Sequence, residues 1–420
     1  MKEKHTYFPS IKDIKVAADT IQKVSAVTPL SPSLRYSNQF KATVLLKRED
    51  LQQVRSYKIR GAYNKISSLT KEESQNGVVC ASAGNHAQGV ALSCKLLKIK
   101  GTVYMPAPTP NQKIEQVKMF GEDYIEIKLV GDTYDDAYHA SMLECEKYSK
   151  TFIHPFDDKK VIEGQATIGL EILKQATEPI DYVFIAIGGG GLAAGLSTVF
   201  KELSPNTKII GVEPEGAPSM AVSIKNNKNT ELEFIEKFVD GAAVKRVGDL
   251  TFPICKANLH TVLTVPEGKV CETILELYNK DAIVVEPAGA LSISALDFYA
   301  DEIKGKNVVC VVSGSNNDIT RTAEIKERAL LYANLKHYFI VTFPQRAGAL
   351  KEFVVDILGP NDDITHFQYT KKTNRENGSA VVGIQLKSAA DLEPLIARMK
   401  QHNFYGDYLN NKPELFQFLV

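Results

Sequence analysis

The stretch YVFIAIGGGGL, residues 182–192, decides the fold class. Its first six residues are uncharged and rich in β-branched and aromatic side chains, so they predict a buried strand over 182–187; the apolar residues after the glycines predict a helix over 192–203. Four glycines between them let backbone N–H groups converge on one anion, and the helix N-terminus adds a favourable partial charge. The stretch therefore predicts a βα unit that binds a phosphate, with a flexible turn as the alternative.

Strand-like and helix-like segments alternate on both sides of this unit. Apolar runs predict further strands at residues 42–46, 78–80, 101–105, 124–129, 208–212 and 308–312. Apolar spacing predicts helices at residues 11–24, 58–69, 86–98, 111–120, 133–149, 164–175 and 270–280. Such alternation predicts an α/β fold with parallel sheets, in two subdomains that share a cleft. Ligands in such folds bind at the carboxyl ends of the strands.

The pattern changes after residue 328, where a smaller unit begins. The predicted elements are a strand at 337–343, a helix at 347–358, strands at 364–371 and 380–386, a helix at 390–402 and a last strand at 405–409. This order resembles a ferredoxin-like fold. We therefore predict a domain of residues 1–328, a connecting segment of 329–336 and a small domain of 337–420.

Composition is that of an ordinary globular protein with two or three domains. The 420 residues are 24% charged and 44% hydrophobic, and 50 acidic residues balance 50 basic ones, which argues against a nucleic-acid partner. Residues 1–5 lead into no apolar run, and glycines interrupt the uncharged run 182–200, so we expect neither a signal peptide nor a membrane span. Six scattered cysteines without a Cys-x-x-Cys pair favour a reduced, cytoplasmic protein.

The heptad SYKIRGA, residues 56–62, contains a candidate nucleophile. Lys58 lies between an aromatic and an aliphatic residue, with Arg55 and Arg60 close by in sequence. A lysine amine is nucleophilic only when it is neutral, and both partial burial and nearby cations lower its pKa. Such a lysine forms Schiff bases with carbonyl compounds, including the aldehyde of pyridoxal phosphate (PLP). Taken alone, the heptad is more typical of a snorkelling lysine at a helix start, and only the rest of the chain changes this interpretation.

Two further loops follow predicted strands. SAGNHAQG at residues 82–89 consists of small and polar residues at a helix start, which suits a substrate carboxylate, and Asn85 could donate to a phenolate oxygen. The alternative is helix capping by Asn85 or Ser82, and His86 fits a structural role as well as a catalytic one. SGSNN at residues 313–317 is a third polar loop, with an ordinary turn as the alternative.

Together these motifs resemble those of the fold type II PLP enzymes, and specifically of the biosynthetic threonine dehydratases. The resemblance covers essentially the whole chain, and it includes VEPAGA at residues 285–290 in addition to the heptad, the glycines and the two loops. It implies a two-subdomain, parallel-sheet catalytic fold like that of the tryptophan synthase β chain. The segment from His337 is similar to the family's ACT-like regulatory domain, in one copy where some relatives carry two.

The resemblance implies a role for each motif. Lys58 would hold PLP covalently, Asn85 would contact its ring oxygen, and Ser315 would face its pyridine nitrogen. The phosphate would be bound by Gly188, Gly189, Gly190, Gly191 and Leu192. The substrate would be bound by Ser82, Ala83, Gly84, Asn85 and His86. Because a serine is neutral, it does not keep the ring nitrogen protonated, so elimination is favoured over racemisation or transamination.

The implied activity is the dehydration and deamination of L-threonine to 2-oxobutanoate and ammonia, the first step of isoleucine biosynthesis. Lys58 would be the general base. The regulatory domain implies feedback by isoleucine, with valine opposing it, and relatives suggest a homotetramer. Alternatives are an L-serine or degradative threonine dehydratase, a non-catalytic amino-acid sensor and, more distantly, a nicotinamide dehydrogenase, whose glycine fingerprint is absent.

A divalent metal is not expected. Some eukaryotic relatives that act on serine bind a cation near a Glu-x-x-x-Ala-x-Asp pattern, which corresponds here to EPEGAPS at residues 213–219. Ser219 stands in the place of the aspartate and removes a hard anionic ligand. We therefore predict that activity requires no divalent metal.

Overall fold

The chain divides into two units, Met1–Asp318 and Ile319–Val420. This computed structural model describes residues 7–369 and 376–412. Residues 1–5 therefore lie outside the described residues. The predicted strand 364–371 is described up to residue 369, and its last two residues lie outside.

The first unit contains ten strands and fourteen α-helices among its described residues. The strands are β1 (Leu30–Pro32), β2 (Thr43–Arg48), β3 (Val78–Ala81), β4 (Gly101–Met105), β5 (Ile125–Leu129), β6 (Thr151–Phe152), β7 (Tyr182–Ala186), β8 (Lys208–Pro214), β9 (Thr261–Val265) and β10 (Asn307–Val312). The helices are α1 (Ile11–Ile21), α2 (Leu34–Phe40), α3 (Lys58–Ser67), α4 (Lys71–Asn76), α5 (Asn85–Leu97), α6 (Asn111–Gly121), α7 (Tyr134–Tyr148), α8 (Lys159–Gln175), α9 (Gly191–Leu203), α10 (Ser219–Lys225), α11 (Thr251–Asn258), α12 (Glu267–Asp281), α13 (Pro287–Ser294) and α14 (Ala300–Ile303).

Two sheets organise this unit, as the alternation of segments predicts. The larger has the order β1-β2-β10-β7-β8-β9 and is parallel except for β1, while the smaller has the order β5-β4-β3-β6 and is parallel throughout. Strands β7 and β10 are almost completely buried, which matches their continuous apolar sequences. The sequence did not predict β1, β6 and β9, because the first two have only three and two residues and the third is mostly half-exposed.

Close packing of α3 against α8 fixes the start of α3. A Cβ atom added at Gly61 would overlap Gln165, and one added at Gly164 would lie 2.6 Å from the carbonyl oxygen of Arg60. Only glycines allow this approach, so the two helices come together where the heptad SYKIRGA lies. The N–H of Tyr57 donates to the Ser313 carbonyl just after β10, so Lys58, the first residue of α3, lies near the carboxyl end of that strand.

The second unit is an antiparallel sheet with helices. Its described elements are α15 (Thr322–Tyr332), β11 (Lys336–Pro344), α16 (Ala349–Glu352), which continues as a π-helical turn (Phe353–Ile357), β12 (Asp363–Tyr369), β13 (Asn377–Gln385), α17 (Leu392–Gln401) and β14 (Tyr405–Tyr408). The strand order is β12-β13-β11-β14, and Phe339, Val382, Phe353 and Phe404 form the centre of the core. The order of elements agrees with the ferredoxin-like prediction.

No helix in residues 7–369 and 376–412 has the length and apolar character needed to cross a membrane. The uncharged run 182–200 forms β7, the glycine turn and most of α9.

Candidate active site

The glycine turn between β7 and α9 forms an anion site. Gly190 adopts a φ of 92°, a Cβ atom at Gly189 would overlap the ring of Phe156, and one at Gly191 would lie 3.0 Å from Phe156 Cα. Within the described part of the chain, the backbone N–H groups of residues 188–192 donate to no acceptor. They lie at the N-terminus of α9, so the turn offers the donors and the partial positive charge that a phosphate needs.

Lys58 faces the same pocket from the start of α3. Its Nζ donates to the carbonyl oxygen of Pro155 at 2.8 Å and lies 5.3 Å from the centroid of the Tyr57 ring. Burial lowers the pKa of the Lys58 amine to about 8, and the charge of Glu286 opposes this shift. Most of the amine is protonated at pH 7, but its neutral, nucleophilic form is far more populated than that of an ordinary lysine.

Arg60 in the heptad and Arg55 just before it do not contribute to this shift, contrary to prediction. Arg60 is fully buried and pairs with Glu49 at 2.8 Å and with Glu171 at 2.6 Å, so its charge is neutralised within an ion cluster. Arg55 is exposed. Burial, and not neighbouring cations, lowers the pKa of Lys58.

Asn85 begins α5 and is fixed by two side-chain hydrogen bonds. Its Nδ2 donates to Glu286 Oε1 at 2.6 Å, and its Oδ1 accepts from Asn316 Nδ2 at 2.6 Å. Ser82 Oγ accepts from the N–H of Gly84 at 3.2 Å, which shapes the loop before the helix.

The His86 side chain has a structural partner. Its Nε2 lies 2.8 Å from the carbonyl oxygen of Ile153, and burial, aided by Lys58, lowers its pKa to about 3. The imidazole is therefore neutral at physiological pH and engaged in packing, which favours the structural alternative for its side chain.

The loop after β10 is bound to the segment before Lys58. The N–H of Ser315 donates to the Arg55 carbonyl at 2.9 Å, and Ser315 Oγ donates to the Asp50 carbonyl at 3.3 Å. Among the described residues, Ser56 Oγ, Asn316 Oδ1 and Asn317 Oδ1 are buried without hydrogen-bond partners. The carboxyl end of β10 therefore adds polar groups with unused bonding capacity next to the Lys58 segment.

One cavity contains many of these groups. Its lining residues are Tyr57, Lys58, Asn85, Ala186, Gly188, Leu192, Gly241, Ala242, Glu286, Ala288 and Ser313. Of the predicted site residues, Lys58, Asn85, Gly188 and Leu192 line it, whereas Ser82 to Gly84, His86, Gly189 to Gly191 and Ser315 do not.

Glu286 is a pocket residue that sequence reasoning did not assign. Burial, and then the charge of Asp240, raise the pKa of its carboxyl group to about 7, although Asn85, Lys113 and Lys58 act in the opposite direction. A sequence signal existed, since Glu286 is an isolated acid within the otherwise uncharged run 282–296. Buried acids are rare unless they are paired or functional.

The segment that corresponds to the cation site of some relatives is closed by hydrogen bonds. The Glu213 carboxylate accepts from the N–H groups of Met220 at 2.7 Å and Ala221 at 2.9 Å, and burial raises its pKa to about 8. Ser219 Oγ donates to the carbonyl of Val244. That activity requires no divalent metal stays a prediction.

The donor set fits PLP. A lysine amine with a lowered pKa can bind the aldehyde, and five free N–H groups on a turn that tolerates no Cβ at Gly189 can bind the phosphate. Residues 21–314 match the family model described as pyridoxal-phosphate dependent enzyme, and residues 327–419 match that of the C-terminal regulatory domain of threonine dehydratase. Fold and site thus define a PLP-dependent enzyme with a regulatory domain.

Comparison with individual relatives identifies the family within this class of enzymes. The chain is 55% identical over 410 residues to the biosynthetic L-threonine dehydratase IlvA of Halalkalibacterium halodurans, which covers 98% of this chain and 99% of that protein. It is 54% identical over 410 residues to the same enzyme of Bacillus subtilis, at 98% and 97% coverage. The chain belongs to the family of biosynthetic L-threonine dehydratases.

Solved structures of related enzymes have the same fold. Threonine deaminase isoform 2 from Solanum lycopersicum superimposes with a TM-score of 0.72 at 38% identity, covering 77% of this chain and 90% of that one. Maize serine racemase superimposes with a TM-score of 0.71 at 30% identity, covering 78% and 99%. The predicted fold class, family and PLP dependence are therefore confirmed.

Proposed function

We propose that this chain dehydrates and deaminates L-threonine to 2-oxobutanoate and ammonia, the first step of isoleucine biosynthesis. The observation that carries the proposal is the Lys58 amine, with a pKa of about 8, in one pocket with Asn85 and the start of the glycine turn. The substrate assignment is supported by the relatives, which are named for it.

Each group around the pocket has a separate task in the proposed reaction. Bound PLP supplies an electron sink that makes the Cα–H bond of the substrate acidic. The neutral Lys58 amine, whose Nζ donates to the Pro155 carbonyl in this structure, would take that Cα proton as general base. Asn85 would donate a hydrogen bond from its second Nδ2 proton to the ring oxygen, and the backbone N–H groups of residues 188–192 would hold the phosphate. Ser315, whose Oγ donates to the Asp50 carbonyl, would lie at the pyridine nitrogen without charging it.

The loop before α5 holds the substrate carboxylate. Residues 82–86 end at the N-terminus of a thirteen-residue helix, where free N–H groups and the helix dipole favour an anion. The hydrogen bond from the Gly84 N–H to Ser82 Oγ shapes this loop, and the Ala83 side chain between them is a single methyl group. Lys58 is the first residue of α3, and this loop leads into α5. The substrate therefore binds between the starts of these two helices.

The second unit supplies regulation. The match of residues 327–419 to a threonine dehydratase regulatory domain supports control by a small-molecule effector. We assign this effector as isoleucine, opposed by valine, acting on a cytoplasmic homotetramer, and we divide the chain into a catalytic domain of residues 1–328, a connecting segment of 329–336 and a regulatory domain of 337–420. All six cysteines are free, which fits a reducing compartment.

The deciding experiment measures 2-oxo acid release from L-threonine and from L-serine, each with and without isoleucine. We expect turnover of threonine that isoleucine suppresses. Because a serine racemase shares this fold, L-serine is the necessary comparison. Turnover without suppression would retain the chemistry and reject isoleucine as effector, while a preference for serine, or no turnover, would reject the proposed function.

A further inference from the structure

Glu286 places a carboxylate in the pocket wall that the proposed mechanism does not use. Its side chain is 6% exposed, and it precedes α13, where its backbone N–H donates to the Gly314 carbonyl at 3.2 Å. A Cβ atom at Gly314 would overlap Glu286 Oε1, so the glycine leaves room for the carboxylate. The position of the carboxylate is therefore set by the backbone on two sides.

A chain of hydrogen bonds ends at this carboxylate and determines how Asn85 is oriented. Asn316 Nδ2 donates to the Val54 carbonyl at 2.9 Å and to Asn85 Oδ1 at 2.6 Å, and Asn85 Nδ2 donates to Glu286 Oε1 at 2.6 Å. A backbone carbonyl and a carboxylate only accept hydrogen bonds. With the Val54 carbonyl at one end and the ionised Glu286 carboxylate at the other, both amides keep this orientation, and one Nδ2 proton of Asn85 stays free.

We propose that Glu286 is a positioning residue for the reaction, which fixes the Asn85 amide as a hydrogen-bond donor and acts by its charge on Lys58. The inference rests on the proposed function for the roles of Asn85 and Lys58. An anion beside Lys58 stabilises its ammonium form, so Glu286 limits how far burial can lower the affinity of that amine for a proton.

Charged groups from three directions set the charge of Glu286. Lys58 and Tyr57 face it from the start of α3, and Asp240 and Lys113 form an ion pair of 2.8 Å at the exposed side. Asp240 favours the neutral acid, while both lysines favour the carboxylate. Since the pKa of Glu286 is about 7, its effect on Lys58 should grow as the pH rises through neutrality.

The test compares full-length wild type with Glu286→Gln and Glu286→Asp. PLP is removed, and its recapture by the apoprotein is followed by visible absorption across pH; the neutral Lys58 amine attacks the aldehyde and water leaves. We expect the midpoint of the rate profile of E286Q to move to lower pH, because Lys58 loses its anion. The aspartate keeps the charge, so E286D should keep the wild-type midpoint.

Steady-state kinetics with L-threonine test the second role. The glutamine can present an NH2 group to Asn85, and the shorter aspartate cannot reach it, so both variants should lose roughly 10-fold to 100-fold in kcat/KM. Glu144→Gln is the matched control: Glu144 is a buried acid of the same unit that contacts Lys128, Lys150 and Thr102, and its loss should change stability without moving the midpoint.

The outcomes separate the two proposals. Recapture needs no threonine, so a shifted midpoint with no threonine turnover would keep the role of Glu286 and reject the substrate. A wild-type midpoint and wild-type kcat/KM in E286Q would overturn the inference. If E286Q fails to fold, the test rests on E286D alone. An unchanged kcat/KM in E286D would then overturn the inference that Glu286 positions Asn85.

Discussion

Helix α3 carries two cations in opposite surroundings, two residues apart. Arg60 is fully buried and forms hydrogen bonds to both oxygens of Glu49, to both oxygens of Glu171 and to Thr167 Oγ1. Lys58 is half-buried and donates one hydrogen bond, to the Pro155 carbonyl. The same helix thus serves an ion cluster on one side and the pocket on the other.

The difference shows how a fold separates a structural cation from a reactive amine. Burial alone lowers the pKa of both side chains, but at Arg60 the adjacent Glu49 and Glu171 outweigh it and raise the pKa. At Lys58 only Glu286 opposes burial, and the pKa falls to about 8. A buried cation that is bonded to two carboxylates stays charged. A buried amine that is opposed by one nearby acid loses its proton more easily and can act as a nucleophile or base.

Removing Lys58 should have the largest effect on activity. In Lys58→Ala the general base is lost, so turnover of L-threonine should fall by about 10³-fold or more, while the glycine turn and Asn85 still bind PLP noncovalently. The measurement is 2-oxo acid release, with PLP retention followed by absorption. Lys65→Ala is the control, because Lys65 lies on the same helix in a partly exposed pair with Asp158; normal turnover by K58A would contradict the assignment.

Breaking the ion cluster should have the largest effect on stability. Arg60→Met leaves the buried Glu49 carboxylate without its cationic partner, while Glu171 keeps its ion pair with Lys47, and the loss should cost about 3–5 kcal/mol of unfolding free energy. Urea unfolding of the apoprotein measures it. Adding Glu49→Gln should recover part of the lost stability, because the buried, unpaired Glu49 carboxylate is then replaced by a neutral amide. A loss of activity at unchanged stability would show that Arg60 acts on the pocket after all.

The contrast between these two cations could not be obtained from the sequence. The motifs predicted the strands with continuous apolar runs, the glycine turn and Lys58, because each depends on local residue types. Arg55 and Arg60 were expected to act on Lys58 because they are close in sequence. The partners Glu49 and Glu171 come from a different strand end and a different helix, so the neutralisation of Arg60 depends on tertiary packing.

Glu286 illustrates the same limit in the pocket. Its motif was visible in the sequence. That its carboxylate accepts from Asn85, 201 positions earlier, follows only from the packing that brings the start of α5 beside the residue before α13. His86 likewise needed the position of Ile153 to be understood as structural. The individual roles of the remaining site residues stay predictions.

A methyl group in the glycine turn should have an intermediate effect. In Gly189→Ala the new Cβ overlaps the Phe156 ring, so the turn must shift and its N–H groups lose their common direction. PLP affinity of the apoprotein should fall roughly 10-fold to 100-fold, which is about 1.4–2.8 kcal/mol. Titration of PLP by absorption measures it. Phe156→Leu in the same chain makes space and should restore part of the affinity; an unchanged affinity in G189A would reject the turn as the phosphate site.

The smallest expected effect is on the pH dependence of stability, and it tests the comparison most directly. The folded pKa of Lys58, about 8, lies below its ordinary value of 10.5, so folding favours the neutral amine. Its contribution is fully present above pH 10.5 and is lost as the pH falls through 8. Lys58→Met should therefore be more stable than wild type at pH 7, by on the order of 1–2 kcal/mol, because the half-buried amine keeps part of its hydration.

The advantage of K58M should shrink as the pH rises from 7 toward 10, and urea unfolding of both apoproteins at several pH values measures it. Lys65→Met, which removes a partly exposed lysine from the same helix, provides the control for the substitution itself. A K58M difference that is independent of pH would mean that Lys58 is as fully charged as Arg60. The two sides of α3 would then not differ in electrostatics, and the nucleophilicity of Lys58 would need another cause.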